Sequence, residues 1–258
     1  MLLKDLFCRF FRKNAPLEAI VLPKGEQSGR KAVHAHIYSM EVLADILQCI
    51  CALGSDTDVY ITTDSEAKIK FIKNSAKLKC PEREIFYSFC ENRGKDIIPF
   101  LRVMAPIAKN YSAVCHIHSK KATAGDSKAL FRRYLLANLV RDEQTAVNAA
   151  ALIENKNAGL IFADVSDFKL SHKGWENNRP IAKQLLKISG FKVKTTKDFE
   201  FPLGSMFWIT PEVIERLACG TEELLADYNA DDVCHATLRA LPFAVKALGK
   251  DIVKIKYK

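Results

Sequence analysis

Short apolar runs alternate with segments of helical periodicity from about residue 32 onward. In the first half of the chain, runs of strand length occupy residues 32–38, 58–63, 85–90 and 111–117. Segments with apolar residues at helical spacing separate these runs, at residues 41–53, 67–78 and 97–107. Four strand-led units within about 90 residues are typical of a parallel sheet covered by helices.

The second half of the chain continues the alternation less regularly. A helical stretch spans 128–154 with a break near Asp142, and shorter helices are predicted at 181–189, 211–217 and 233–248. Strands are predicted at 159–163 and 203–209, and a terminal edge strand at 252–257. We therefore predict an α/β, Rossmann-like fold with a mostly parallel central sheet and helices on both faces, formed by a single domain at 31–258.

Residues 1–30 are predicted to be a basic amphipathic segment followed by a linker. Within the first 14 residues, apolar side chains share one helical stripe and basic side chains lie beside it: Leu3, Leu6, Phe7, Phe10 and Phe11, with Lys4, Arg9, Arg12 and Lys13. Such a helix can lie in a membrane interface with its cations over anionic lipids. A helix docked on its own domain is the competing interpretation.

The formal net charge of +9 at pH 7 favours an anionic partner, such as a nucleotide, a phosphorylated lipid, a membrane surface or a nucleic acid. Simple solubility is the competing explanation of this charge. We expect no nucleic-acid partner, because the basic residues are dispersed and no recognised binding motif occurs.

The eight cysteines lie mostly inside apolar runs, and none forms a C-x-x-C pair. We expect buried thiols of a reducing compartment, without a disulfide framework or structural zinc. No run has the length and purity of a transmembrane helix, and the first 14 residues do not make a signal peptide. The expected location is the cytoplasm or the cytoplasmic face of the membrane.

Two H-x-H pairs, His34/His36 and His116/His118, each place both imidazoles on one face of a strand. If the two strands are neighbours, the four imidazoles with Asp64 or Asp164 would form a metal site of the hydrolase kind. Histidines in strands are more often packed and hydrogen-bonded, and no H-E-x-x-H spacing supports a metal. A metal-dependent hydrolase is therefore one alternative.

A second cluster follows the strand at 111–117, where Ser119, Lys120 and Lys121 come after His116 and His118. A hydroxyl and two ammonium groups at the carboxyl end of a strand suit a pyrophosphate. The turn at 92–96, N-R-G-K-D, adds a helix N-terminus with cations nearby. A solvated basic turn is the competing interpretation, and neither a Walker loop nor a G-x-G-x-x-G motif occurs.

Asp231 and Asp232 stand where the last long helix begins. One of them is expected to cap the helix, and the other to face the crevice as a general base for a sugar hydroxyl. The polar passage at 164–180 follows a buried strand and contains Trp175, Glu176 and Asn177. Loops of this composition often carry binding residues.

Five separated motifs resemble, in order, the rhamnan synthesis protein F family. They are Y-I-T-T-D-S at 60–65, E-N-R-G-K-D-I-I-P-F-L at 91–101, V-C-H-I-H-S-K-K at 114–121, G-S-M-F-W-I at 204–209 and D-D-V-C-H-A-T-L-R-A-L-P at 231–242. The similarity runs from about residue 32 to residue 249. It implies a role in making rhamnose-containing cell-surface polysaccharide or lipopolysaccharide.

The motif order is also similar to the GT-A glycosyltransferase plan. That resemblance places Asp64 near the nucleoside and matches Asn92 and Gly94 to the N-x-G turn before a helix. H-I-H-S-K stands where GT-A enzymes carry their acidic D-x-D motif. His118 and the two lysines would therefore balance the charge of the donor pyrophosphate. Asp231 or Asp232 would be the acidic residue on the acceptor side, with Arg239 behind it and residues 204–208 lining the acceptor.

Together these observations predict a glycosyltransferase that moves rhamnose from a nucleotide diphosphate donor, dTDP-rhamnose, to a lipid-linked polysaccharide or lipooligosaccharide. The predicted donor-binding residues are His36, Asp64, Asn92, Gly94, Lys95, Asp96, His116, His118, Ser119, Lys120 and Lys121. The predicted acceptor-binding residues are Trp175, Glu176, Asn177, Gly204, Ser205, Trp208 and His235.

No residue is assigned as a metal ligand, and Mg or Mn is the candidate ion. The expected location is peripheral, on the inner face of the cell membrane. A non-catalytic polysaccharide-assembly module is the other alternative.

Overall fold

The computed structural model describes residues 29–119, 126–168 and 174–256. The predicted amphipathic segment, Lys120 and Lys121 lie outside these residues. The described strands are β1 Lys31–His36, β2 Thr57–Thr63, β3 Ile85–Phe89, β4 Ala113–His118, β5 Ala158–Ala163, β6 Phe207–Ile209 and β7 Asp251–Ile255. The described α-helices are α1 Leu43–Cys51, α2 Glu66–Lys79, α3 Ile97–Met104, α4 Asp126–Val140, α5 Glu143–Asn155, α6 Arg179–Ile188, α7 Pro211–Leu224 and α8 Ala230–Ala247.

The strands form one seven-stranded sheet in the order β3-β2-β1-β4-β6-β5-β7. β1 pairs in parallel with β2 and β4, β2 with β3, and β5 with β7. β6 is antiparallel to both of its neighbours, β4 and β5. The predicted α/β fold with a mostly parallel, helix-covered sheet is confirmed.

Local sequence accounts for several element boundaries. The hydroxyl of Ser65 accepts a hydrogen bond from the backbone N–H of Lys68 and caps α2. Asp142 accepts from the N–H of Thr145 and begins α5, which produces the break that the sequence predicts between α4 and α5. Pro211 lies in the first turn of α7, where its missing N–H costs nothing.

Two hydrophobic cores lie on opposite faces of the sheet. One contains residues of α3, α6, α7 and α8, and the other contains residues of α1, α2, α4 and α5. All six residues of β1 are buried, as expected for a strand covered on both faces. Val33 and Ala35 enter the second core, so the alternation of a strand directs His34 and His36 toward the first core.

The predicted strand at 203–209 is a strand only from Phe207 onward. Gly204 and Ser205 have φ angles of 88° and 59°, and this left-handed backbone forms a turn rather than a strand. Within the described ranges, no helix combines the length and apolar character that crossing a bilayer requires. The cysteines of these ranges are all free thiols.

Candidate functional site at the carboxyl edge of the sheet

Four histidines lie side by side on the face of the sheet covered by α3 and α8. The parallel register of β1 and β4 pairs His34 with His116 and His36 with His118. On the other side of β1, Thr62 of β2 is in register with His36. Because partners in register point to the same face, the two H-x-H pairs form one block, as the sequence anticipated for neighbouring strands.

The histidines bond to each other and to Thr62. His34 Nδ1 lies 3.0 Å from His116 Nδ1, and His34 Nε2 lies 3.0 Å from Thr62 Oγ1. The same hydroxyl lies 2.9 Å from His36 Nδ1. Both nitrogens of His34 are therefore occupied, and its ring has no lone pair available for a metal.

Asp96 closes this block from the start of α3. Its Oδ2 lies 3.3 Å from His116 Nε2 and 3.8 Å from His118 Nε2, and the residue is 4% exposed. Burial holds the pKa of His34 well below its usual value, and the neighbouring His116 and His36 lower it further. Burial also lowers the pKa of His116, despite the opposing effect of Asp96. It lowers the pKa of His36 to about 4.

These observations correct the expectation that His116 contacts the donor. The side chain of His116 is fully buried between His34, Phe100 and Phe207, so a ligand cannot reach it in this structure. Among the residues that the structure describes, no three His, Cys, Asp or Glu side chains converge as a metal site. The geometry therefore does not support the hydrolase alternative built on the four imidazoles.

The carboxyl end of β4 is bonded to the loop before β6 and to the segment after β1. The His118 ring N–H donates to the carbonyl oxygen of Gly204 at 2.7 Å. A side chain at residue 204 would overlap Leu135, and the φ angle of Gly204 is positive. Both features favour glycine at this position. The hydroxyl of Ser119 is buried and accepts a 2.9 Å hydrogen bond from the backbone N–H of Ser39.

Asp64, which stays a predicted neighbour of the nucleoside, follows directly after the carboxyl end of β2. Its Oδ1 is 2.6 Å from Lys68 Nζ, and its side chain is 19% exposed. Lys68 also donates to the carbonyl oxygen of Tyr38 and lies over the ring of that tyrosine. Asp64 thus lies at the same sheet edge as His36 and His118, already paired with a cation.

The turn at 92–96 packs against the first turn of α8. A Cβ built on Gly94, which has a φ of 75°, would lie 3.4 Å from the carbonyl oxygen of Ala230 and would overlap Ile98. Lys95 reaches across this contact: its Nζ is 2.6 Å from His235 Nε2 and 3.3 Å from Asp231 Oδ2. Residues predicted separately for the donor and acceptor sides are therefore neighbours. Asn92 is exposed on the same turn.

The expected capping role of Asp231 or Asp232 is wrong. Asn229 is the N-cap of α8, and its side-chain oxygen accepts from the backbone N–H of Asp231 at 2.8 Å. Both aspartates are exposed in the first turn of the helix. The two carboxylates are thus not used to cap α8, and Asp231 faces Lys95 instead.

Arg239 joins the polar loop after β5 to α8. It lies two helical turns beyond Asp231, is 3% exposed, and donates to the carbonyl oxygen of Gly174 at 2.8 Å. Its guanidinium also bonds Glu176 Oε2 at 2.6 Å. This contact holds Glu176, whose φ is 47°, near the end of the loop before α6, and Asn177 is exposed beside it.

Neither of the two tryptophans predicted to bind the acceptor presents a free ring face in this structure. Trp208 is fully buried in the core on the opposite face of the sheet, and its indole N–H donates to the carbonyl oxygen of Leu139 at 2.9 Å. Trp175 is 7% exposed and packs against Phe199 and Phe243. Both expectations are corrected, because both rings are covered by protein. Ser205 remains half-buried in the turn before β6.

Thr62 is the site residue that sequence reasoning missed. It is fully buried and bonds two of the histidines, although it reads as an ordinary β-branched strand residue. The sequence offered one signal for Thr62. The T-T pair ends β2, and β2 is parallel to β1, which carries an H-x-H pair. The register between the two strands, which the pattern does not specify, was needed to interpret it.

Comparison with known proteins places this chain in a family. A family model described as rhamnan synthesis protein F matches residues 17–247. The chain is also similar to the "Uncharacterized protein WxcX" of two strains of Xanthomonas campestris pv. campestris, at 28% identity over 187 residues in each. That alignment covers 70% of this chain and 26% of the relative, so the chain spans about a quarter of the length of the curated relatives it matches. Because the family model covers most of the sequence, the chain belongs to the rhamnan synthesis protein F family.

Proposed function

We propose that this protein is a glycosyltransferase that moves rhamnose from a nucleotide diphosphate donor, dTDP-rhamnose, to a lipid-linked polysaccharide or lipooligosaccharide. Family membership links the chain to rhamnan synthesis. The observation that carries the finer proposal is the contact between the turn at 92–96 and the start of α8, where Lys95 meets Asp231. It places the turn that we predict to bind an anion beside an exposed carboxylate.

The proposed chemistry assigns the base to Asp231. Its carboxylate takes the proton of an acceptor hydroxyl, whose oxygen forms a bond to the anomeric carbon while the bond from that carbon to the diphosphate breaks. Negative charge develops on the leaving diphosphate as this bond breaks, and cations must balance it. Lys95 is the described cation nearest the base, and Lys120 and Lys121 stay predicted ligands of the diphosphate.

The histidines of the site serve as hydrogen-bonding groups in this proposal. Burial keeps the pKa of His36 at about 4 and lowers that of His116, so both rings are neutral at physiological pH. The described part of the sheet edge lacks the paired carboxylates of a D-x-D motif, and oxygen ligands are what Mg²⁺ and Mn²⁺ prefer. These residues therefore do not fit such an ion, and every proposed step uses side chains alone.

We further propose that the protein works on the inner face of the cell membrane, where a lipid-linked acceptor would be presented. The basic amphipathic sequence of residues 1–14 and the net charge of +9 support this location. The acceptor is expected to approach His235 of α8 and the loop residues Glu176 and Asn177, which Arg239 joins to that helix.

The test is to incubate the purified full chain with nucleotide diphosphate sugars and lipid-linked acceptors, with and without Mn²⁺ or Mg²⁺. Calorimetry measures donor binding, and released nucleotide diphosphate measures transfer. We expect saturable binding of dTDP-rhamnose without added metal, and acceptor-dependent release. Asp251→Asn is the matched control for Asp231→Asn, because Asp251 is exposed at the far edge of the sheet. Binding of an acceptor glycan without donor turnover would favour the assembly module instead, whereas stoichiometric bound metal would revive the hydrolase.

A further inference from the structure

We infer that Asp96, His116, His34, Thr62 and His36 form one directional hydrogen-bond chain that presents His36 Nε2 as a fixed acceptor at the crevice, where it recognises an N–H or O–H group of the nucleotide. The recognition part rests on the proposed donor site. The direction of the chain follows from the contacts themselves.

The direction starts at Asp96. An ionised carboxylate only accepts hydrogen bonds, so the Nε2 of His116, 3.3 Å away, must carry the proton. A neutral imidazole has a single N–H, which leaves the Nδ1 of His116 as an acceptor. The facing Nδ1 of His34, 3.0 Å distant, must then be the donor.

The same reasoning fixes the direction of the hydrogen bonds between β1 and β2. His34 has used its single proton on His116, so its Nε2 accepts from the hydroxyl of Thr62 at 3.0 Å. A hydroxyl has one proton to donate, so its contact with His36 Nδ1 at 2.9 Å must be a bond that it accepts. His36 therefore carries its proton on Nδ1 and keeps the lone pair on Nε2.

His36 lies at the crevice end of this chain. It is the last residue of β1, at the carboxyl edge where ligands of open α/β sheets bind, and it is 3% exposed. Among the described residues, the hydrogen bonds of its ring engage Nδ1 alone. A ligand group reaching Nε2 must therefore donate a proton, which selects an N–H of a base or a hydroxyl of a ribose over a phosphate oxygen.

Neutral rings are a requirement of the chain, and the surroundings supply this condition. Burial lowers the pKa of His34, His36 and His116, whereas the carboxylate of Asp96 raises each of them less strongly. His118 also lowers the pKa of His36 and His116, whereas Asp64, just after β2, raises the pKa of His36. The direction of the hydrogen-bond chain is thus expected near pH 7, where these imidazole rings are neutral.

Nitrogen-15 NMR of the histidine-labelled full chain tests the inference directly. The chain has six histidines, so substitution of each in turn assigns the ring signals. We expect a proton on Nδ1 in His34 and His36, and on Nε2 in His116. A proton on Nε2 of His36 in the wild-type protein overturns the inference.

Two substitutions check that the direction is transmitted. Asp96→Asn can turn an amide N–H toward His116, so the chain should reverse and move the His36 proton to Nε2. Thr62→Val interrupts the chain, and the Nδ1 preference of His36 should be lost, whereas Thr62→Ser should retain it. If His36 keeps its proton on Nδ1 in Thr62→Val, the hydrogen-bond chain does not set the tautomer of His36.

The ligand arm uses dTDP as the probe. On saturation with dTDP, the His36 Nε2 signal should shift, and His36→Phe should weaken dTDP binding at least tenfold while His36→Gln, which keeps an acceptor oxygen, weakens it less. An unchanged Nε2 signal in dTDP-saturated protein overturns the recognition step. A protein that does not bind dTDP at all contradicts the proposed donor site, while the tautomers measured without ligand still decide the direction of the chain.

Discussion

Lys95 Nζ lies 3.3 Å from Asp231 Oδ2 and 2.6 Å from His235 Nε2, although 135 or more residues of sequence separate the lysine from both partners. The side chains of Lys95 and Asp231 are 30% and 55% exposed, so their ion pair contributes little to folding. Asp231 and His235 are four residues apart and share one face of α8. The arrangement therefore fits a solvent-facing site better than a structural bridge.

The two aspartates of α8 should differ in activity. Asp231→Asn is expected to lower kcat for sugar transfer by about 10² to 10⁴, the range for loss of a general base. Asp232→Asn should have a much smaller effect, because Asp231 is the aspartate that pairs with Lys95. Initial rates with the two variants and Asp251→Asn test this. Equal losses in Asp231→Asn and Asp251→Asn would remove Asp231 from the proposed role.

Acidification should destabilise the protein through the buried histidines. A histidine whose folded pKa lies below its unfolded value of 6.5 stabilises the fold above that value, and this contribution is lost as pH falls toward the folded pKa. For His36, with a folded pKa of about 4, the loss amounts to roughly 3 kcal/mol between those two pH values. Urea unfolding from pH 7 to pH 4 should show a falling free energy of unfolding.

His36→Gln should flatten that pH profile, because glutamine does not titrate. The slope between about pH 6.5 and pH 4 should fall, while ionisations elsewhere continue to contribute equally to both proteins. Identical slopes in the wild type and the variant would show that His36 keeps an ordinary pKa in the folded protein.

Gly204 should tolerate alanine worse than a glycine with comparable backbone geometry elsewhere. Both Gly204 and Gly249 have positive φ, 88° and 69°, so both alanine variants share backbone strain. A side chain at Gly204 would also overlap Leu135 and Phe131, whereas a Cβ at Gly249 meets nothing within 4 Å. Gly204→Ala should therefore lower the unfolding free energy by about 1 to 3 kcal/mol more than Gly249→Ala. Equal losses in chemical denaturation would contradict the packing argument.

Trp208 should affect stability without affecting acceptor affinity. Trp208→Phe keeps an aromatic ring in the core but removes the N–H that bonds the carbonyl of Leu139, leaving a buried carbonyl without that partner. The cost is expected to be about 1 to 3 kcal/mol in unfolding free energy. The KM for the acceptor, measured on folded protein, should stay the same. A large rise in that KM with unchanged stability would restore Trp208 as an acceptor contact.

Much of the architecture was readable from local pattern. Apolar runs of strand length and intervening helical periodicity depend on neighbouring residues, so they predict the parallel sheet, its covering helices and the break that Asp142 introduces before α5. The expected strand at 203–209 was too long, because apolar composition did not reveal that Gly204 and Ser205 adopt left-handed backbone.

The sequence by itself determined which chemical groups reach the carboxyl edge of the sheet, since H-x-H at a strand end and N-R-G-K-D before a helix are local features. Only the tertiary structure decided what those groups contact. Strand register joined His34 to His116 and Thr62, and packing of α3 beside α8 brought Lys95 to Asp231. The face on which Trp208 lies depends on the pairing of β6 with β4 and β5. Such contacts link residues far apart in the chain, so their energies depend on the whole fold rather than on any one segment.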